Sequence, residues 1–224
     1  MTSLRTRTFG SRADLNAALA ARLHGALSAR GASAVMLSGG TTPMSAYEAL
    51  ARERLSHDDR LHVLFSDERY VPASTAGSNY YQARALLNAL ALPQESLLRV
   101  RTELPLEAAA ADYENQLLQL LSAGIPIGLG LLGLGVDGHT ASLFSVQDLE
   151  HARGRYALEV QRPDGRGAVS VTPELIGRVR EPLFVVAGPE KRAAINALVR
   201  QDPSLVAWRA VQGCDNVEVW TAPE

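Results

Sequence analysis

The sequence predicts an α/β fold with a mostly parallel central sheet flanked by helices, in a single domain over residues 1–224. Three observations predict it. Short apolar runs alternate with longer stretches of helical periodicity, the order that places strands side by side with helices packed on them. Several glycines, prolines and small hydroxyl residues stand where those runs change type. No internal repeat, low-complexity tract or long linker divides the chain; the polar stretch Gly154–Gly167 is too short to mark a domain boundary.

Each element follows from its residues. Asp14–Arg30 is rich in Ala and Leu at helical spacing and reads as a helix. Ala34–Leu37 is a short buried strand, and Ser38–Thr42 a turn. Thr42 suits a helix cap and Pro43 a first helical position, with Met44–Arg54 continuing the helix. Leu61–Phe65 is a strand, followed by the charged loop Ser66–Arg69. Ser78 or Asn79 caps a helix that runs to about Leu90, and Pro105–Leu121 is another helix. Ile127–Leu134 is a buried strand. Tyr156–Val160, Ala168–Val171, Pro182–Ala187 and Asn216–Thr221 read as strands, with a helix over Pro189–Arg200.

Composition bounds the function. Hydrophobic residues make up 46% of the chain and charged residues 21%, ordinary values for a globular protein. The formal net charge of -2 gives no field that would hold nucleic acid or a membrane, so an anionic ligand must be gripped by a few local basic groups. Cys214 is the only cysteine, which excludes an intrachain disulfide and fits a reducing compartment. Met1–Arg12 has arginines but no apolar segment of a secretory signal, and no run of about 18 apolar residues exists. A cytoplasmic location is expected.

The chemistry concentrates in Gly133-Leu-Gly-Val-Asp137-Gly-His139-Thr-Ala-Ser-Leu-Phe144. Glycines let the backbone turn sharply and approach a ligand closely. A strand end is where open α/β sheets present ligands. Asp137 and His139 form a candidate base with its orienting partner, because a carboxylate holds the ring tautomer and steadies the imidazolium. A free imidazole titrates at about 6.5, near neutrality. The competing reading is a structural histidine capping the next turn. No second His or Cys cluster stands at metal-ligand spacing, so no metal is expected. His24, His57, His62 and His151 are isolated and read as surface or core-edge residues. Gly133-x-Gly135-x-x-Gly138 also matches the dinucleotide fingerprint, with Glu159 about 20 residues on. It lies late in the chain, however, and its turn carries polar groups that a pyrophosphate would not want.

Other candidates flank this segment. Gly39, Gly40, Thr41 and Thr42 could cradle a phosphate on backbone N–H groups at a helix start, or form a plain tight turn. Asp67-Glu68-Arg69 follows a strand directly, at an edge that faces a ligand crevice, or is a solvated loop. Lys191 sits in a helical first turn, where a cation opposes the dipole; it faces an anion, or pairs with Glu190.

Taken in order, Ser38-Gly-Gly-Thr-Thr-Pro43, Asp67-Glu-Arg69 with Ser78-Asn79, the Asp137–Phe144 string, and Gly188-x-x-Lys191 resemble the 6-phosphogluconolactonase family over roughly residues 35–191. The resemblance implies a Rossmann-like fold shared with glucosamine-6-phosphate deaminases and ribose-5-phosphate isomerases. It implies a carboxylic ester hydrolase of the pentose phosphate pathway acting on 6-phospho-D-glucono-1,5-lactone, without cofactor. By similarity His139 is the base and Asp137 its partner. Asp67, Arg69, Lys191 and the Gly39–Thr42 loop surround the substrate, Lys191 and the loop nearest the phosphate. The sequence departs from the family at Ala168, where members often have a basic residue, and Arg166 is the expected substitute. Met44 stands where Lys is frequent, and Thr41 where Ser is usual.

The mechanism so implied is attack on the lactone carbonyl by water that His139 deprotonates. Two rivals are weighed against it. Sugar-phosphate deaminases carry a Glu where Phe144 stands, and they must move carbon-bound protons that a lactonase leaves alone. Sugar-phosphate-sensing modules normally follow a helix-turn-helix, for which the roughly 12 residues before the first expected helix are too few. Only a small-molecule partner is expected, with the protein a monomer or small homo-oligomer.

Overall fold

The computed structural model describes residues 2–223; the first and last residues of the expected 1–224 domain lie outside the described residues. The chain opens with a strand that the sequence reading missed, β1 (Ser3–Thr8). Its Arg and Thr side chains are largely exposed, because β1 is an edge strand paired only with the last strand of the sheet. Helix α1 (Arg12–Leu27) starts two residues before the expected Asp14, where the Ser11 hydroxyl accepts the Asp14 N–H. It buries Leu15, Leu19, Leu23 and Leu27, one row at helical spacing.

Strand β2 (Ser33–Leu37) leads to α2 (Thr41–Leu50). Gly40, with φ at 100°, occupies the cap position, and no side chain caps the helix. The Thr42 cap and Pro43 first position are therefore corrected: Pro43 stands third in the helix, still within the turn whose N–H groups lack helical partners. The expected loop after β3 (Leu61–Phe65) is in part a strand, β4 (Asp67–Arg69). Helix α3 (Asn79–Leu90) is capped by Ser78, as one of the two expected residues. Helix α4 (Leu106–Ser122) and strand β5 (Ile127–Leu132) follow as the periodicity predicts.

The second half adds short helices that sequence reading passed over: α5 (Val146–His151), α6 (Pro173–Ile176) and, later, α8 (Val206–Val211). Each is of six residues or fewer, below the length at which periodicity is legible. Between α5 and α6 lie β6 (Ala157–Gln161) and β7 (Gly167–Val171). Strand β8 (Val179–Ala187) begins earlier than the expected Pro182. That proline is accommodated because pairing with β9 (Asn216–Ala222) starts only at Leu183. A 3-10 turn, Pro189–Lys191, precedes α7 (Arg192–Val199).

Six strands form one all-parallel sheet in the order β1-β9-β8-β5-β2-β3. The remaining three, β4-β7-β6, form a small antiparallel sheet, so the expected mostly parallel architecture holds with this addition. Alternate residues of the large sheet enter two cores. Val35, Leu37, Val63 and Leu131 pack under α1, α2 and α3. Ala34, Met36, Leu64 and Leu132 pack under α4, the small sheet and the later helices. Burial on both faces explains why these strands read as continuous apolar runs.

Candidate functional site

Strand order reverses between β2 and β5: the chain moves outward from β2 to β3 on one side, and from β5 to β8 on the other. Such a reversal leaves the loops at the strands' carboxyl ends splayed apart over a crevice. A cleft of about 200 Å³ lies there, lined by Gly39, Gly40, Thr41, Thr42, Gly133 and Lys191 among others. Residues 38–42 follow β2, Gly133 follows β5, and Lys191 follows β8. The three loops thus come together because their strands are neighbours, although they are far apart in the chain.

Each loop is held from beneath. The buried Tyr47 hydroxyl donates to the Ser38 carbonyl at 2.8 Å and accepts the Ser38 N–H at 3.2 Å. Burial pushes the Tyr47 phenol far above its ordinary range, so it stays neutral and keeps both bonds. The Gln82 carbonyl accepts the Gly40 N–H at 3.0 Å. Asn79 lies against Gly39, where a Cβ would stand 1.8 Å from its Oδ1; only glycine fits. With no side-chain cap on α2, its first-turn N–H groups remain available at the cleft, a setting that favours an anion. The Lys191 side chain brings the complementary positive charge.

The turn after β5 carries the dyad. The Gly135 N–H bonds the His139 carbonyl at 2.8 Å, and the Gly138 N–H bonds the Gly135 carbonyl at 3.1 Å, with Gly138 at φ 85°. His139 Nδ1 lies 2.5 Å from Asp137 Oδ1, which also accepts the His139 backbone N–H at 3.2 Å. Partial burial raises the Asp137 carboxyl, but the hydrogen bonds from His139 outweigh it and hold the group below the usual carboxylate range. The ionised carboxylate thus accepts a hydrogen bond from Nδ1–H, which keeps the proton on that nitrogen and leaves Nε2 as the ring nitrogen free for chemistry. The Thr140 hydroxyl donates to the Gly133 carbonyl at 2.8 Å, tying the dyad turn to the wall of the cleft.

Two aromatic and basic neighbours complete this side. The Phe144 ring packs on the His139 ring, centroids 4.5 Å apart. The Arg162 guanidinium lies over the Phe144 ring at 5.4 Å, and its buried Nε faces Asp164 Oδ1 at 3.5 Å, an ion pair without a hydrogen bond. Sequence reading missed Arg162, Tyr47 and the role of Phe144, since no spacing rule links residues from separate loops.

The remaining sequence candidates fare differently. Arg69 pairs with Ala168 across β4 and β7, and its Nη1 donates to the Gly77 carbonyl, while its buried Nε has no partner. Directly opposite residues share a face, so the small Ala168 leaves room beside Arg69. Arg166 is turned out to solvent and gives its backbone N–H, Nε and Nη2 to Asp164, which these bonds hold at about 2. The structure does not bring Arg166 to the cleft; it brings Arg162 beside the dyad instead. Asp67 is buried, with both oxygens engaged by Ser66 and Ser142. Glu68, flanked by both, serves α3: Ser78, Asn79 and Tyr80 donate to its carboxylate. His57 and His62 bond backbone carbonyls away from the dyad, in line with their reading as surface or core-edge residues.

A roomier hollow of about 570 Å³ lies along the outer edge of β3, lined by His62, Tyr80, Arg99 and Arg101. Its arginines are paired with Glu103 and Asp112, and no dyad faces it. Among the described residues no group of three or more His, Cys, Asp or Glu side chains could hold a metal ion, and no helix is long and apolar enough to cross a membrane.

Known proteins are similar to this chain in sequence and in fold. Residues 11–220 match the model of the glucosamine-6-phosphate isomerases/6-phosphogluconolactonase family. The chain is 37% identical over 205 residues to the 6-phosphogluconolactonase of Synechocystis, covering 85% of this chain and 82% of that protein. It is 37% identical over 175 residues to the enzyme of the same name from Treponema pallidum, covering 75% and 72% of the two chains. The crystal structure of 6-phosphogluconolactonase from Thermotoga maritima superposes over the full length of both chains with a TM-score of 0.81 at 27% identity. With the family match spanning nearly the whole chain and relatives identical at more than a third of the aligned positions, the chain belongs to the glucosamine-6-phosphate isomerase/6-phosphogluconolactonase family.

Proposed function

We propose that this protein hydrolyses 6-phospho-D-glucono-1,5-lactone to 6-phospho-D-gluconate, with His139 as general base. The observation that carries the reading is the His139–Asp137 pair, 2.5 Å apart, at the end of β5 beside a cleft that holds Lys191 and an uncapped helix start. The 6-phosphogluconolactonase relatives supply the substrate.

The geometry supports the following steps. The substrate phosphate rests on the α2 N–H groups and the Lys191 ammonium, which fixes the lactone far from its reacting carbon. His139 Nε2 takes a proton from water, and the oxygen so activated attacks the lactone carbonyl C1. Asp137 steadies the imidazolium. Arg69 meets the developing oxyanion; one such donor contributes about 3 kcal/mol. The tetrahedral intermediate collapses, the C1–ring oxygen bond breaks, and the imidazolium returns its proton to the departing oxygen. Atoms balance as lactone plus water giving the hydroxy acid.

The deaminase or isomerase alternative finds less support. Position 144 presents a phenyl ring against His139, where that chemistry would want an acid to move carbon-bound protons. The test is direct. The lactone is generated enzymatically from glucose 6-phosphate and its disappearance followed with and without the protein. A rate no faster than spontaneous hydrolysis, or release of ammonia from glucosamine 6-phosphate, would overturn the assignment.

We also propose that the large and small sheets work as one domain in the cytoplasm. The small sheet supplies Arg69 and packs into the same core as one face of the large sheet.

A further inference from the structure

We infer that Ser142 is a positioning residue for His139, latched to Asp67 and Ser170 of the small sheet. The inference rests on the reading of His139 as the base.

Ser142 lies three residues beyond His139 and is fully buried. Its hydroxyl donates to Asp67 Oδ2 at 2.8 Å, and its backbone N–H donates to the Ser170 hydroxyl at 3.1 Å. Asp67 and Ser170 stand directly opposite each other on β4 and β7, so they present a donor-accepting pair on one face. Each is itself held. Ser66 donates to the other Asp67 oxygen at 3.0 Å, and the Ser170 hydroxyl donates onward to the Val171 carbonyl at 2.9 Å. All four residues are buried.

The latch answers a need of the backbone. Ala141, between the dyad and Ser142, sits at φ 49°, a conformation that a residue with a Cβ keeps only when its neighbours enforce it. On one side the Thr140 hydroxyl holds Gly133; on the other Ser142 holds the small sheet. The His139 turn is therefore stretched between the two sheets. A carboxylate is costly to bury unless its oxygens are bonded, and those of Asp67 are bonded to serines. This makes Asp67 the anchor of the base and not a direct substrate contact, which is the role that sequence similarity implied.

The test is a double-mutant cycle on Asp67→Asn and Ser142→Ala, reading kcat, KM and amide hydrogen exchange at Thr140, Ser142 and Leu143. A base displaced by about 1 Å loses on the order of 10²-fold. Each single variant should lower kcat by about 10- to 100-fold with KM within about threefold, because the substrate contacts are untouched. Exchange at the three amides should quicken in each. The double variant should be no worse than the weaker single variant, since either change opens the same latch. If Asp67→Asn does not fold, Ser142→Ala and Ser170→Ala, each removing one hydroxyl, carry the same comparison. Additive losses, a KM rise caused by Asp67→Asn in the Ser142→Ala background, or unchanged exchange would overturn the latch. Failure of the wild-type protein to hydrolyse the lactone would remove the functional reading, while the exchange measurements would still decide whether the latch exists.

Discussion

Gly135 lies directly beneath the dyad: a Cβ on it would stand 2.1 Å from His139 Nδ1 and 2.3 Å from Asp137 Oδ1. No rotamer change in a ring already fixed between Asp137 and Phe144 relieves such a contact. Gly135→Ala should therefore push the imidazole aside and lower kcat by about 10²-fold or more. Gly135 is buried and its turn is tied to both sheets, so the clash should lower the thermal midpoint as well as the activity. Steady-state kinetics and a melting curve on the same preparation check both.

His139→Ala should cost about 10²- to 10⁴-fold in kcat/KM, the range for loss of a general base. Asp137→Asn should cost a comparable amount even though it preserves shape, because an amide no longer dictates which ring nitrogen carries the proton.

Asp137 also predicts a pH dependence of stability. Its carboxyl is held lower in the folded chain than in the unfolded one. The folded state thus gains stability above the ordinary carboxylate pKa of about 3.9, and loses it as pH falls through the depressed value. The stability gap between wild type and Asp137→Asn should accordingly be full near neutrality and close on acidification. Urea titrations from neutral to strongly acid pH measure it, and a gap that widened in acid would contradict the geometry.

The three basic residues should separate cleanly. Lys191→Met should raise KM by about 10- to 100-fold, as expected for one charge-assisted phosphate contact. Arg166→Ala should leave both constants close to wild type, because its guanidinium is committed to Asp164 in solvent. Arg162→Met should chiefly lower kcat, since the residue touches the dyad only through Phe144. Kinetics of the three variants on the lactone decide the order.

Glu68 should report on α3. Burial raises its carboxyl pKa despite the donors that converge on it. A raised value means stability that is complete below the unfolded pKa of about 4.3 and declines as pH rises through the folded value. Glu68→Gln removes that decline while sacrificing part of the N-terminal support of the helix. The stability difference, variant minus wild type, should move in favour of the variant as pH rises from about 4 towards neutrality. Chemical denaturation at several pH values measures the slope.

Much of this protein was legible in its chain. Long apolar strands and Leu-rich helices such as α1 and α4 announced themselves because burial on one or both faces repeats at the period of the element. The dyad turn was legible because Asp, His and three glycines adjoin in sequence. The edge strand β1 was not, because exposed Arg and Thr carry no burial signal. The strand β4 was read as a loop because its charges suggest solvent, whereas Asp67 and Glu68 are both buried and bonded. Arg166 is offered by its nearness in sequence to Ala168, and Arg162 carries no such signal; the hairpin closure that bonds residue 162 to residue 166 turns one side chain outward and the other toward Phe144.

By itself the sequence determined the class of fold, the adjacency of Asp137 and His139 in a glycine-rich turn, and the presence of a second glycine-rich turn after β2. These are set by neighbours along the backbone, over which propensity and short-range hydrogen bonds act. Only the tertiary structure decided which loops meet. The pairing of β2 with β5 at the reversal of strand order, and the meeting of Asp67 with Ser142, join residues 75 or more positions apart. Contacts of that span arise from how the sheets and helices pack, and packing is a property of the whole chain that no local segment encodes.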